Sequence, residues 1–402
     1  MPSFVIVTEC GMPHGFAASN YVRLLADGLS RAGAQIKVLI PWHTERPEHP
    51  LNTCFKGSLC GFTYEYTTGD PIRPKELCKR VREVLRAHTH TCLRLKALKK
   101  QNRLDAVIYY GGHLENHIIY RSLSRLLKVP YISFLVEWYP AIPRQNISRR
   151  LYDRAFNYLT MTMTDAVVVI SRYLELKVKE PRAIPFSPPR CYRMPILVNP
   201  RLWENVKPHQ SHRPYVLFCA DLEGYYRDAC FAIRSMAKLG RQDMELMLIG
   251  SASDETRNCL QDFAERSGLR SRLIIYDHFV PGDTLRELFA GSQALLAPLH
   301  DDIRSKARFP SKIADYLMAA RPVVSCNVGE VAEFLHNRVT AYLSQPDDID
   351  DFVKSLRLAL TDEAREQVAE NGKSLALKNF DYRLQGKRLF DFITSLQRKE
   401  TA

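Results

Sequence analysis

Arg308-Phe309-Pro310-Ser311-Lys312-Ile313-Ala314-Asp315-Tyr316-Leu317-Met318-Ala319-Ala320-Arg321-Pro322-Val323-Val324-Ser325-Cys326 reads as a polar turn, a helix over 311–320 and a buried strand over 323–326. Ser311 is of the type that caps a helix start. The free N–H groups there favour an anion, and Lys312 and Arg308 add positive charge. The segment therefore suits a diphosphate. Asp315 lies one turn further in, on the face of Ser311, where a carboxylate can accept from both hydroxyls of a ribose.

Outward from this segment the same alternation recurs. Apolar runs at 215–219, 245–249, 273–276 and 294–297 predict strands, with helices near 227–239 and 283–290 and a helical tail from about Asp348. Toward the N-terminus, strands are predicted at 4–8, 36–40, 106–110, 131–136 and 166–170. Helices fall near 18–33, up to 127 and near 148–163. Strands alternating with helices imply parallel βαβ units. Between the two series, residues 181–214 are rich in Pro and Arg, including Pro181, Pro185, Pro188, Pro189 and Pro195, a linker composition.

The expected architecture is α/β: two Rossmann-like, doubly wound parallel-sheet lobes facing a central cleft. The first lobe spans 1–200 and the second 201–380, and a C-terminal helix in 381–402 crosses back to the first. Ligands of open α/β sheets bind beyond the carboxyl ends of the strands. Two such lobes suit a two-substrate reaction, with the acceptor in the first and the donor in the second.

Composition agrees with a globular chain of two domains: 402 residues, 46% hydrophobic and 25% charged. None of the ten cysteines forms a Cys-x-x-Cys pair, and no Cys/His cluster has zinc spacing. These features read as buried thiols in a reducing cytosol. The apolar run from Phe4 to Val7 is too short for a signal-peptide core, and no stretch reaches the roughly 20 apolar residues of a membrane span. The expected location is cytoplasmic, peripheral on the inner membrane face. Net charge is +13, and residues 1–200 hold 29 Lys and Arg against 15 Asp and Glu. A basic first lobe, strongest from Lys75 to Arg103, suits an anionic membrane surface as partner. No nucleic-acid partner is expected.

Other candidate residues end predicted strands. His113 follows Gly111-Gly112, and Glu137 follows an apolar strand that leaves its carboxylate needing a partner. The loop from Gly11 to Asn20 brings Gly15 and Phe16 between a strand and a helix. Arg227 opens the helix after 215–219, and an arginine fork binds phosphate bidentately. Asp301 and Asp302 are adjacent and point apart, and no Asp-x-Asp stands where a metal-bridging site would be expected. No obligatory metal or other cofactor is expected.

The segment from Arg308 to Cys326 resembles the donor-site signature of GT-B glycosyltransferases, in particular the large retaining family 4. That family carries two carboxylates separated by seven residues before an Ala-x-Gly-x-Pro-Val-Val run, here Met318-Ala319-Ala320-Arg321-Pro322-Val323-Val324. The second carboxylate falls on Asp315 and the first on Ala307, so the contact that orients the donor sugar is missing. The Pro310-Ser311-Lys312 form resembles a variant found in bacterial surface-polysaccharide enzymes. The resemblance implies a hexosyltransferase that moves a sugar from a nucleoside-diphosphate donor to a glycan or lipid-linked acceptor, with retention. It implies that Gly15 and Phe16 lie over the donor, Arg227 neutralises the diphosphate, and Phe279 and Val280 hold the base. Glu137 and His113 are the candidate catalytic groups. A GT-B-fold sugar-nucleotide epimerase and a non-catalytic nucleotide-sugar-binding protein are the alternatives that the residues leave open.

Overall fold

A computed structural model describes residues 1–142, 144, 146–180 and 189–397. The chain divides into two compact units, Met1–Leu197 with Tyr382–Ala402, and Val198–Asp381. Each is a doubly wound α/β sheet.

In unit 1 the strands are β1 Ser3–Thr8, β2 Gln35–Ile40, β3 Lys56–Leu59, β4 Phe62–Tyr66, β5 Ala106–Tyr110, β6 Tyr131–Leu135, β7 Ala166–Val169 and β8 Arg190–Arg193. Their order is β3-β4-β2-β1-β5-β6-β7-β8, parallel except for the β3–β4 hairpin. β1 is buried throughout because helices cover both faces of the sheet. Phe4 and Ile6 pack on one side, with the helices Ala17–Arg31 and Tyr382–Gln397. Val5 and Val7 pack on the other, where Leu95, Tyr120 and Phe156 come from three further helices, Leu77–Lys100, Leu114–Leu126 and Ile147–Thr162. The period-two alternation of a strand thus feeds two cores at once.

Helices Ala17–Arg31 and Tyr382–Gln397 cross in backbone contact. A Cβ on Gly28 would stand 2.4 Å from the carbonyl oxygen of Tyr382, and one on Gly386 would stand 2.3 Å from the Gly28 carbonyl carbon. Only glycine permits that approach.

Unit 2 holds β9 Tyr215–Cys219, β10 Glu245–Ile249, β11 Leu273–Tyr276, β12 Ala294–Ala297, β13 Val323–Cys326 and β14 Tyr342–Ser344. The order is β11-β10-β9-β12-β13-β14, with every pair parallel. The strand order reverses between β9 and β12, as it does between β1 and β5 in unit 1. In such sheets this reversal opens the crevice that receives ligands.

Arg190–Arg193 lies within the expected linker but forms edge strand β8, paired with β7 from Ala166↔Arg190 to Val169↔Arg193. An edge strand needs no continuous apolar run, and Tyr192 secures it by stacking on Phe392 at 5.1 Å. Pro181, Pro185 and Pro188 of the same segment lie outside the described residues.

Candidate functional site

The segment from Arg308 to Asp315 is anchored by aromatics. Phe309 is buried, stacked on Phe334 at 5.4 Å and edge-on to Phe380 at 5.5 Å. The helix Lys312–Met318 is tied to the end of β9, because the backbone N–H of Cys219 donates to the Tyr316 hydroxyl at 2.8 Å. Lys312 and Asp315 thereby stand at the strand reversal of unit 2. Lys312 Nζ lies 3.5 Å from Asp315 Oδ2, and both side chains keep about 30% exposure (31% and 28%). Burial alone would lower the Lys312 pKa. The facing Asp315 outweighs it, so the pKa is raised and the ammonium stays charged. Burial pushes the neighbouring Cys219 thiol up to about 11, which keeps it neutral.

Ser311 does not cap this helix. It has helical backbone angles, φ −59° and ψ −28°, and its side chain makes no capping bond. A capping side chain is aimed back by an extended backbone, which Ser311 lacks. The turn is closed instead by Ile313 N–H donating to the Pro310 carbonyl at 3.0 Å, and Ser311 is left exposed.

Arg308 and Arg227 nearby are engaged with carboxylates. Arg308 is buried; its guanidinium pairs with Asp228 at 3.2 Å and covers the Tyr225 ring at 4.3 Å. Arg304 covers the same ring at 4.4 Å. Arg227, at the start of helix Tyr226–Leu239, is exposed, 2.8 Å from Asp347 and 3.7 Å from Asp302. Asp302 caps the helix Ile303–Ala307 through Ser305 N–H, whereas Asp301 pairs with Lys306.

Between these groups lies a residue that no local sequence motif marks. His300 follows β12, is buried, and bridges two carboxylates: Nδ1 is 2.6 Å from Asp347 and Nε2 is 3.1 Å from Asp228. Burial would lower its pKa, but the bonds to Asp228 and Asp347 outweigh burial and raise it. Asp347 also accepts from the Asp301 N–H at 2.9 Å. Although burial opposes this, that bond and His300 hold its carboxyl below the usual range. Arg227, Asp228, Arg308, His300 and Asp347 form one network across the ends of β9, β12 and β14. Phe279 and Val280 stand apart from it, after β11 at the sheet edge, with Phe279 50% exposed.

Unit 1 gathers a second group around its own reversal. Glu9 follows β1 and accepts from three donors: Tyr109 hydroxyl and Asn116 Nδ2, both at 2.6 Å, and Gly112 N–H at 3.0 Å. Glu9 was not anticipated, although a carboxylate directly after an apolar strand is the same signal that picked out Glu137. His113 lies against the Trp42 ring at 5.1 Å and pairs with Glu115 at 3.2 Å. Burial first, then the negative charges of Glu137 and Glu9, raise the pKa of Tyr139. The loop carrying Gly15 is pinned by Met12 N–H donating to Tyr66 at 2.8 Å and His14 N–H donating to Asn52 at 2.9 Å. A Cβ on Gly15 would stand 2.2 Å from Ser19 Oγ, and Phe16 is 64% exposed. Among the described residues, no group of three or more His, Cys, Asp or Glu is arranged to hold a metal ion.

Residues 213–362 match the family model described as Glycosyl transferases group 1. No curated protein sequence matches the chain. Among solved structures, a sucrose-phosphate synthase from Thermosynechococcus elongatus superposes with TM-score 0.73 at 14% identity, covering 98% of this chain and 99% of that one. A glycosyltransferase from Rickettsia africae gives 0.69 at 12%, covering 98% of each chain. The Anabaena protein HepE, in complex with UDP, gives 0.65 at 13%, covering 98% of this chain and 100% of that one. At these identities the likeness establishes the fold: two parallel-sheet α/β units of GT-B type.

Proposed function

We propose that the chain is a glycosyltransferase that takes its sugar from a nucleoside diphosphate bound by unit 2. The observation that carries this reading is the Cys219–Tyr316 hydrogen bond at 2.8 Å. It fixes the helix bearing Lys312 and Asp315 at the strand reversal, within the residues similar to group 1 glycosyl transferases. The similarly folded HepE is in complex with UDP, which supports a nucleotide as ligand.

In this reading Asp315 accepts from the ribose hydroxyls. Lys312 and Arg227 meet the departing diphosphate, and buried Arg308 supports Arg227 from behind through Asp228, His300 and Asp347. Fixed positive charge aimed at a leaving phosphate is the main catalytic contribution available here. Phe279 and Val280 contact the base, and Gly15 and Phe16 the donor. Pro310 and Ser311 shape the turn. The reading needs no metal. Glu137 orients or deprotonates the acceptor hydroxyl or hydrogen-bonds the donor sugar, and His113 hydrogen-bonds a sugar or phosphate. Transfer goes to a glycan or lipid-linked acceptor with retention, as in the family 4 enzymes that the Pro310-Ser311-Lys312 segment resembles.

The test is thermal stabilisation by UDP, GDP, ADP and dTDP, since a ligand bound by the native state raises its melting temperature. One nucleotide should stabilise the wild-type chain, and Asp315→Ala should abolish the effect. Stabilisation by none of the four, or an unchanged response in Asp315→Ala, would overturn the donor reading.

A further inference from the structure

The helix Leu77–Lys100 carries eight Lys and Arg and one Glu, and no residue before Ala87 is buried. In that first stretch Leu77, Val81 and Leu85 are 60%, 51% and 63% exposed. Their spacing of four aligns them in one row along the helix. Arg82 and Arg86, both exposed, form the adjoining row. Glu83 is turned toward the unit, 3.3 Å from buried His43, so it does not neutralise them.

A second helix on the same sheet face repeats the pattern. Ile147 and Leu151 open the helix Ile147–Thr162, 71% and 58% exposed, beside exposed Arg150. The helix Leu114–Leu126 links the two, through His88 to Tyr120 at 2.7 Å and Tyr152 to Glu115 at 2.6 Å. Each of the three helices crosses from the carboxyl end of one parallel strand to the amino end of the next. Their starts, and the exposed apolar side chains on them, therefore lie at the same end of the sheet.

Single exposed leucines are ordinary, but apolar rows on two helix starts, each edged by arginine, need a partner that is both apolar and anionic. A second copy of this chain would bring the same arginines together, which like-charge repulsion opposes. An anionic bilayer satisfies both demands, with its acyl boundary for the leucines and its phosphates for the guanidiniums. No helix among the described residues is long and apolar enough to cross a membrane, so contact would be made by lying on the surface.

We propose that this face of unit 1 docks on an anionic lipid bilayer, with Leu77, Val81 and Leu85 entering the headgroup–acyl boundary and Arg82, Arg86 and Arg150 pairing with lipid phosphates. The surface belongs to unit 1, and the proposal stands independently of the nucleotide reading.

The experiment is co-sedimentation of the full chain with phosphatidylcholine vesicles, with and without phosphatidylglycerol, at low and raised salt. The wild-type chain should sediment with the phosphatidylglycerol vesicles and stay in solution with phosphatidylcholine alone. Arg82→Gln/Arg86→Gln/Arg150→Gln should weaken partitioning about fivefold per cation removed, or roughly 100-fold together. Leu77→Ser/Val81→Ser/Leu85→Ser should keep weak binding at low salt and lose it at raised salt. The changed side chains are exposed, and unchanged melting temperatures would show the fold intact. Equal binding to both vesicle types, or unaltered binding by both variants, would overturn the proposal. A dimer in sedimentation velocity that the serine variant dissociates, without vesicle binding, would assign the face to a second copy instead.

Discussion

His300 lies 2.6 Å from Asp347 through Nδ1, which makes a buried imidazole the joint between the loops after β12 and β14. Its pKa is raised, so the stability it contributes is complete below the ordinary histidine value, about 6.5, and is lost as pH rises through the higher folded value. The lowered Asp347 contributes above the ordinary carboxylate value, about 4, and loses its share as pH falls through its lower folded value. Melting temperature should therefore be highest between about pH 4 and 6.5 as far as these two groups decide it, and decline above. His300→Gln should lower the plateau and flatten the alkaline decline. An unchanged slope in the variant would remove His300 from the account.

Asp228 holds Arg308 from below, with both side chains 10% exposed. Replacing Asp228 by Ala leaves a buried guanidinium without its carboxylate, at a cost of about 3–5 kcal/mol. Arg308→Met in the Asp228→Ala background should recover part of that loss. Urea unfolding of the single and double variants measures the coupling. Additive losses would mean that the pair carries none.

Arg227 is exposed and shared between Asp347 and Asp302. If it serves the diphosphate, Arg227→Gln should weaken nucleoside diphosphate binding about tenfold, the scale of one charge-assisted bond, while leaving the melting temperature nearly unchanged. Calorimetric titration separates this from a structural role, which would move the melting temperature and not the affinity.

The contact of Gly28 with Gly386 leaves no room for a methyl group. Gly386→Ala should cost about 1–3 kcal/mol as the two helices are forced apart. Urea unfolding checks it, and full stability in the variant would show that the crossing can relax.

The two α/β units were legible because their strands are apolar runs closed by polar turns; β1, β5, β9 and β12 all fall where those runs predict. The helix Leu77–Lys100 was read only as a basic stretch, because it buries just Ala87, Thr91 and Leu95 and so carries little apolar periodicity. β8 was hidden for the related reason that an edge strand needs few apolar residues. At the candidate site, the segment with Lys312 and Asp315 is local in sequence and could be read directly. The His300 network could not, since Asp228 comes from the helix after β9 and His300 and Asp347 from the loops after β12 and β14, and the three meet only once the sheet has formed. Ser311 shows the limit of residue type alone. Serine is a good cap only in an extended conformation, and the backbone that Phe309 and Pro310 lead into it is helical.

The two chain ends of unit 2 meet. Val198 N–H donates to the Phe380 carbonyl at 2.8 Å, and Val198 bridges to Asp381. The unit is thus a nearly closed loop of chain, its entrance and exit sealed by one hydrogen bond. A fragment of residues 198–381 would begin and end at a single point on its own surface, with no strand of its sheet cut. Excision, cyclisation or transplantation into another protein's loop would all start from ends already in register. Unit 1 is made of two segments, whose cut ends Leu197 and Tyr382 each lie one residue from that same bridge.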